Sequence, residues 1–157
     1  MIYTSRYANP TLRSGDFTCV RISLGTPKWS LGYQLTEFKE LMPFGLLNKY
    51  EDYAPFREEY FRKLDKIGVD RIYAKLNEFE KLGKDVVLLC YEDIRKGPED
   101  WCHRTAFAEW WLLRTGERIG ELYDPTTPKV KAAPKPPKTE SKPLFEEDNN
   151  YIQLSLF

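Results

Sequence analysis

Apolar positions follow two different spacings along this chain. Residues 2–7 and 17–24 gather β-branched and aromatic side chains over short spans, the second broken by Gly25-Thr26-Pro27, and both read as strands. Residues 32–55 show neither period. They are rich in aromatics and interrupted by Pro43, Gly45 and Pro55, which predicts a long irregular excursion with at most a short helix over residues 35–42. From Phe56 the spacing becomes helical, with Phe56, Tyr60, Phe61, Leu64 and Ile67 before Gly68, then Val69, Ile72, Tyr73, Leu76 and Phe79 before Gly83. These predict two amphipathic helices. The run Asp85-Val86-Val87-Leu88-Leu89-Cys90 is continuously apolar after its first residue, as in a central strand covered on both faces. Pro98-Glu99-Asp100-Trp101 places a proline and two carboxylates where a first helical turn favours them, so a helix is expected from there to about Thr115, before Gly116. Residues 119–122 read as a last strand. Strands alternating with helices in this order imply an α/β fold of three layers, with a mostly parallel sheet flanked by helices, in a single domain.

Composition then divides the chain. Six of the eleven prolines fall between Pro125 and Pro143, together with five lysines and one glutamate. Such a stretch cannot pack a core and stays extended and solvated, so the globular domain is expected to cover residues 1–123 and a flexible linker residues 124–150. Nineteen basic and nineteen acidic residues balance up to Tyr123. Bulk charge therefore cannot hold an acidic partner, and any nucleic-acid contact must be local. Apolar residues at 41% and aromatics at 15% exclude disorder throughout. No apolar run approaches a membrane span, and residues 1–4 lack the layout of a secretory signal, so the expectation is a cytoplasmic protein without membrane contact. Cys19, Cys90 and Cys102 are an odd number in a chain large enough to bury a core, which favours reduced thiols over a disulfide framework.

Candidate chemistry gathers where the central strand ends. In open α/β sheets, ligands lie beyond the carboxyl ends of the strands, against the amino ends of the following helices. That geometry should bring Cys90, Glu92, Cys102, His103 and Arg104 together. A helix amino end and neighbouring cations lower the pKa of a thiol at Cys102, while Arg104 offers a planar fork for carboxylate or phosphate. Glu109 lies seven residues after Cys102, close to the same helix face. The alternative is packing: Cys90 ends an apolar run, and His103, Phe107, Trp110 and Leu113 share one stripe. Cys90, Cys102 and His103 lack paired zinc-knuckle spacing, so neither a metal nor another cofactor is expected.

The segments Ile2-Tyr3-Thr4-Ser5-Arg6-Tyr7 and Arg21-Ile22-Ser23-Leu24-Gly25-Thr26-Pro27-Lys28-Trp29, the run Leu88-Leu89-Cys90-Tyr91-Glu92, and Cys102-His103-Arg104 with Ala108-Glu109-Trp110 together resemble the family known as domain of unknown function 488. The resemblance covers residues 1–123 and implies a compact α/β domain with polar motif residues at one pocket, without supplying a reaction. Residues 93–100 form a longer insert between the two motifs than that pattern has. By position it points at Thr4, Ser5, Arg6, Arg21, Ser23, Lys28, Trp29, Cys90, Glu92, Cys102, His103 and Arg104; by their chemistry, Thr4, Ser5, Arg6, Arg21, Ser23, Lys28, Trp29 and Arg104 read as anion- or nucleotide-binding residues and Glu92, Cys102 and His103 as the catalytic set. Arg6, Arg21, Lys28 and Arg104 around one strand end would make a phosphate-sized site, with Trp29 as a stacking face. Equally, each arginine pairs with a glutamate in a structural bridge and Trp29 covers the core.

The last signal lies in residues 151–157, which follow the linker: Gln153-Leu154-Ser155-Leu156-Phe157 matches at every position the peptide by which bacterial replication and repair proteins bind the β sliding clamp. Leu154, Leu156 and Phe157 supply apolar anchors for a preformed pocket, and the Gln153 amide can fix register. A flexible linker of this length reaches roughly 30 Å, holding the domain near the ring at about millimolar effective concentration. The expectation is a clamp-recruited, DNA-associated protein of bacteria or a phage. Its folded part would be a DNA repair enzyme, a hydrolase or glycosidic-bond-cleaving enzyme acting on DNA bases or nucleotides. The alternative is a non-catalytic clamp ligand that modulates or inhibits DNA replication.

Overall fold

The computed structural model describes residues 1–46, 49–97 and 99–129. Among them, five strands form one sheet: β1 (Ile2–Arg6), β2 (Phe17–Arg21), β3 (Thr36–Glu37), β4 (Asp85–Cys90) and β5 (Gly120–Glu121). Their order is β3-β2-β4-β1-β5, every neighbouring pair is parallel, and β4 is central as its apolar run predicts. The chain is an α/β protein. Its helices are α1 (Tyr53–Ile67), α2 (Val69–Glu80) and α3 (His103–Thr115).

Side chains alternate across a strand, and here the alternation separates two cores. Val20, Ile22, Val86 and Leu88 face α1, α2 and α3, whose stripes supply Phe56, Tyr60, Leu64, Ile72, Leu76, Phe107, Trp110 and Trp111. Val87, Leu89, Cys19 and Tyr7 face the other way, beneath Leu12 of a 3-10 turn (Pro10–Ser14) and beneath Leu31, Tyr33 and Leu35. Both faces of the sheet are thus covered, but the second cover is irregular chain rather than helix.

Three details depart from the expected elements. Residues 35–42 contain β3 and a 3-10 turn (Lys39–Leu41), because an extended edge lets Leu35 enter one core while Phe38 enters the other. Helix α3 starts at His103, later than expected, with Cys102 as its N-cap. The reason is Trp101, whose ring packs 4.8 Å from Phe56 and 5.3 Å from Tyr53, centroid to centroid, and draws the preceding residues onto α1. Pro98 lies outside the described residues. Finally, the folded unit continues beyond Tyr123. Asp124 and Thr126 are hydrogen-bonded to Arg6 and Arg95, so the first residues assigned to the linker belong to the domain surface. The rest of that linker, 130–150, and the clamp-like peptide Gln153-Leu154-Ser155-Leu156-Phe157 lie outside the described residues.

Candidate active site at the carboxyl edge of the sheet

Because all strands run the same way, Arg6, Arg21, Cys90 and Glu121 end at one edge; Arg6 stands beside Cys90 in the β1–β4 register. The pleat then divides the candidates. Thr4, Arg6 and Cys90 share the helix-covered face, whereas Ser5, Arg21 and Ser23 share the opposite face. Four cations around one strand end is therefore not the arrangement found.

Each arginine has a carboxylate partner instead. Arg104 is fully buried and donates Nε and Nη2 to the two oxygens of Glu121 at 3.1 and 2.8 Å, while Thr4 Oγ1 donates to the same carboxylate at 2.7 Å. A bidentate pair of this kind fixes the guanidinium plane. Arg6 donates to Asp124 at 2.7 Å and to Thr126, in a cluster with Asp93 and Arg95. The Arg95 hydrogen bonds hold the Asp93 carboxyl well below the usual carboxylate range, and Arg6 and Thr126 lower Asp124 against the opposing effect of burial. Arg21 donates to the carbonyls of Ser23 and Leu24 and to Glu37, tying down the loop after β2. Ser23 is bonded to Tyr7 at 2.6 Å and Ser5 accepts from Asn9, so both hydroxyls brace the fold. Glu109 supports α1 rather than the Cys102 side of α3, accepting from Arg57 and Tyr53.

Cys90, Cys102, His103 and Arg104 do meet, as their positions predict. The expectation of reduced thiols is corrected for one pair, because Cys90 and Cys102 are joined as a disulfide, and the free Cys19 is buried with its thiol pushed up to about 11. The central strand and the N-cap of α3 bring the two sulfurs together. Arg104 Nη1 donates to Cys90 Sγ at 2.9 Å. His103 Nε2 lies 2.7 Å from the Ile22 carbonyl, which only accepts, so Nε2 carries the hydrogen and Nδ1 presents a lone pair toward Cys102 Sγ, 3.7 Å away. Burial lowers the imidazole to about 4 and keeps it neutral. Ligand-type atoms of Cys90, Cys102 and His103 lie within 4.8 Å of one another, but with both thiols consumed in the disulfide and a guanidinium against Cys90 the set does not fit a zinc ion.

No family model, curated protein or solved structure matches the chain.

Two clefts open at this edge, and exposed Glu92 lines both. One, of about 310 Å³, is bounded by Tyr50, Phe56, Trp101, Cys102 and His103, with Glu51 and Glu99 at its rim. The other, of about 470 Å³, is bounded by Arg6, Tyr91, Asp93, Lys96, Thr126 and Lys129. Nearby, Trp29 is 48% exposed and meets Tyr91 edge-on, and Lys28 beside it is exposed. A shallow groove of about 480 Å³ at the amino edge of β2, lined by Leu12, Arg13 and Lys84, holds none of the candidate residues. Sequence reasoning missed Asp93, Arg95, Glu121 and Asp124. Of these, Asp124 had a local signal: Asp124-Pro125-Thr126 is an Asx-turn pattern, and Asp124 Oδ1 does accept from the Thr126 amide.

Proposed function

We propose that this chain is a cytoplasmic, DNA-associated protein recruited to the bacterial β sliding clamp through Gln153-Leu154-Ser155-Leu156-Phe157, with a folded part that processes a base or nucleotide at the carboxyl edge of its sheet. The observation that carries the reading is the complete five-residue match to the clamp-binding pattern behind a Pro/Lys-rich stretch. The resemblance to the domain of unknown function 488 family belongs to the same proposal. Glu92, exposed at the junction of the two clefts, is the carboxylate placed to act as a general base or to stabilise a cationic sugar-like transition state. Trp29 and Tyr91 offer ring faces to a base, Lys28 keeps its phosphate role, and Lys96 and Lys129 take over that of Arg6, Arg21 and Arg104, now held in ion pairs.

The pairing of Arg6, Arg21 and Arg104 also favours a second reading, a non-catalytic clamp ligand, since these three guanidiniums already answer carboxylates of the chain itself. One set of measurements separates them. Titration against purified clamp should show binding that deletion of residues 153–157 abolishes; no binding by the full chain would end both readings. Incubation with labelled duplex and single-stranded DNA carrying altered bases should then show processing that Glu92→Gln removes and the deletion leaves intact on short DNA. Clamp binding with no processing of any substrate selects the non-catalytic ligand.

A further inference from the structure

The disulfide at the edge of the sheet is asymmetric. Cys90 is completely buried, whereas Cys102, 2% exposed, lines the 310 Å³ cleft beside Glu92 and Trp101. Cys90 receives the Nη1–H of Arg104, a guanidinium that Glu121 holds in place. A neutral disulfide sulfur gains little from a charged donor; a thiolate gains much. Cys102 is the N-cap of α3, where the helix dipole favours negative charge, and once reduced its S–H donates to the lone pair that His103 Nδ1 turns toward it. All three features stabilise the reduced pair, and they lie where a small molecule reaches only one of the two sulfurs.

We propose that Cys90–Cys102 is a redox-active couple that undergoes directional thiol–disulfide exchange with a low-molecular-weight dithiol, entered at Cys102 and released at Cys90. The attacking thiolate of the dithiol forms a new S–S bond to Cys102 Sγ. The protein S–S bond breaks, and its electron pair leaves on Cys90 Sγ, where the Arg104 N–H receives it. The second thiol of the reductant, after losing its proton to solvent, then displaces Cys102. The reductant departs as a cyclic disulfide, and each protein sulfur takes up one proton from solvent. Two electrons and two protons pass from the dithiol to the pair. A leaving sulfur whose developing charge meets a guanidinium N–H departs faster than one without such a donor, which sets the direction of exchange. Reduction also releases Cys102, next to Trp101, from the end of β4. The proposal is independent of clamp binding.

The test uses the folded full-length chain. Dithiothreitol titration followed by maleimide quenching and intact-mass measurement should show two thiols appearing in one step without denaturant. Single-pass attack by the monothiol glutathione, quenched with maleimide and mapped by peptide mass, should place glutathione on Cys102 and maleimide on Cys90. In Cys90→Ser, oxidised glutathione should form its mixed disulfide about tenfold faster than in Cys102→Ser. A bond that opens only when urea unfolds the chain, or glutathione found on Cys90 or equally on both sulfurs of the wild-type protein, overturns the proposal. The wild-type mapping decides it even if a serine variant fails to fold.

Discussion

The chain has one histidine, and it is buried, so one narrow pH window of stability is assigned to a single side chain. His103 donates Nε2–H to the Ile22 carbonyl, meets the ring of Tyr60 edge-on, and lies near the cations Arg104 and Lys63. Burial foremost, assisted by those two charges, lowers it from 6.5 to about 4. The sign follows from which state binds the proton. Between these values the unfolded chain takes up a proton that the folded chain refuses, so stability falls as pH drops below 6.5 and the loss levels off below about 4. The slope is about 1.4 kcal/mol per pH unit, and the full loss about 3 kcal/mol. About 2 kcal/mol of it is gone by pH 5, before the carboxylates begin to titrate appreciably. Urea melts from pH 7.5 to 4.5 should show the midpoint falling by about 1 M by pH 5. His103→Gln should be less stable at pH 7 and nearly flat across the window. A wild-type midpoint constant from pH 7.5 to 5, or an unchanged slope in His103→Gln, would refute the burial argument.

Glu121→Ala strands the fully buried Arg104 guanidinium and should cost about 3 kcal/mol in a denaturant melt, whereas Glu78→Ala, which removes an exposed pair with Lys75, should cost less than about 0.5 kcal/mol. Asp93, held ionised chiefly by Arg95, stabilises the fold above its usual value of 3.8 and loses that contribution as pH falls toward its lowered folded value. The stability gap between the wild type and Asp93→Asn should therefore be constant above about pH 5 and shrink below pH 4, read by acid titration of circular dichroism. Trp29→Ala should leave the melting temperature nearly unchanged, because the ring is half exposed, yet weaken binding to a short single-stranded oligonucleotide by about tenfold in fluorescence anisotropy.

Local pattern carries far in this fold. The period of Phe56, Tyr60, Phe61 and Leu64 and that of Ile72, Leu76 and Phe79 mark the buried faces of α1 and α2, and the glycine after α1 turns the chain at φ 92°. The apolar run of β4 marks the middle of the sheet because only a central strand covered on both faces has no use for polar alternation. The motif Pro98-Glu99-Asp100-Trp101 misled for a specific reason. Proline followed by two carboxylates is sound helix-start chemistry, but Trp101 gains more by entering the aromatic cluster on α1 than by completing another turn. The two-residue strand β3 is too short to show a period, and only its pairing to β2 defines it, whereas β5 falls within residues 119–122, which read as a last strand.

The meeting of Cys90, Cys102, His103 and Arg104 was legible in the sequence, and the electrostatics around them were not. Spacing brought Cys90, Cys102, His103 and Arg104 together because a strand end and a helix start fix them within a few residues. Whether a cation stands free for a ligand depends on a carboxylate elsewhere in the chain. For Arg6 that carboxylate is Asp124, for Arg21 it is Glu37, and for Arg104 it is Glu121, each sixteen or more residues away. A charge-balanced domain makes such pairing the default, since each buried guanidinium costs several kcal/mol unless answered. The groups left to meet a ligand are those that folding does not need: exposed Glu92, the Lys28–Trp29 corner, Lys96 and Lys129 around the clefts, and a cysteine pair that one buried arginine polarises. Under the proposed function, binding energy on this surface must come from lysines and ring faces, which tolerate many sequences, so selectivity between DNA substrates has to come from the shape of the two clefts or from where a clamp delivers the domain.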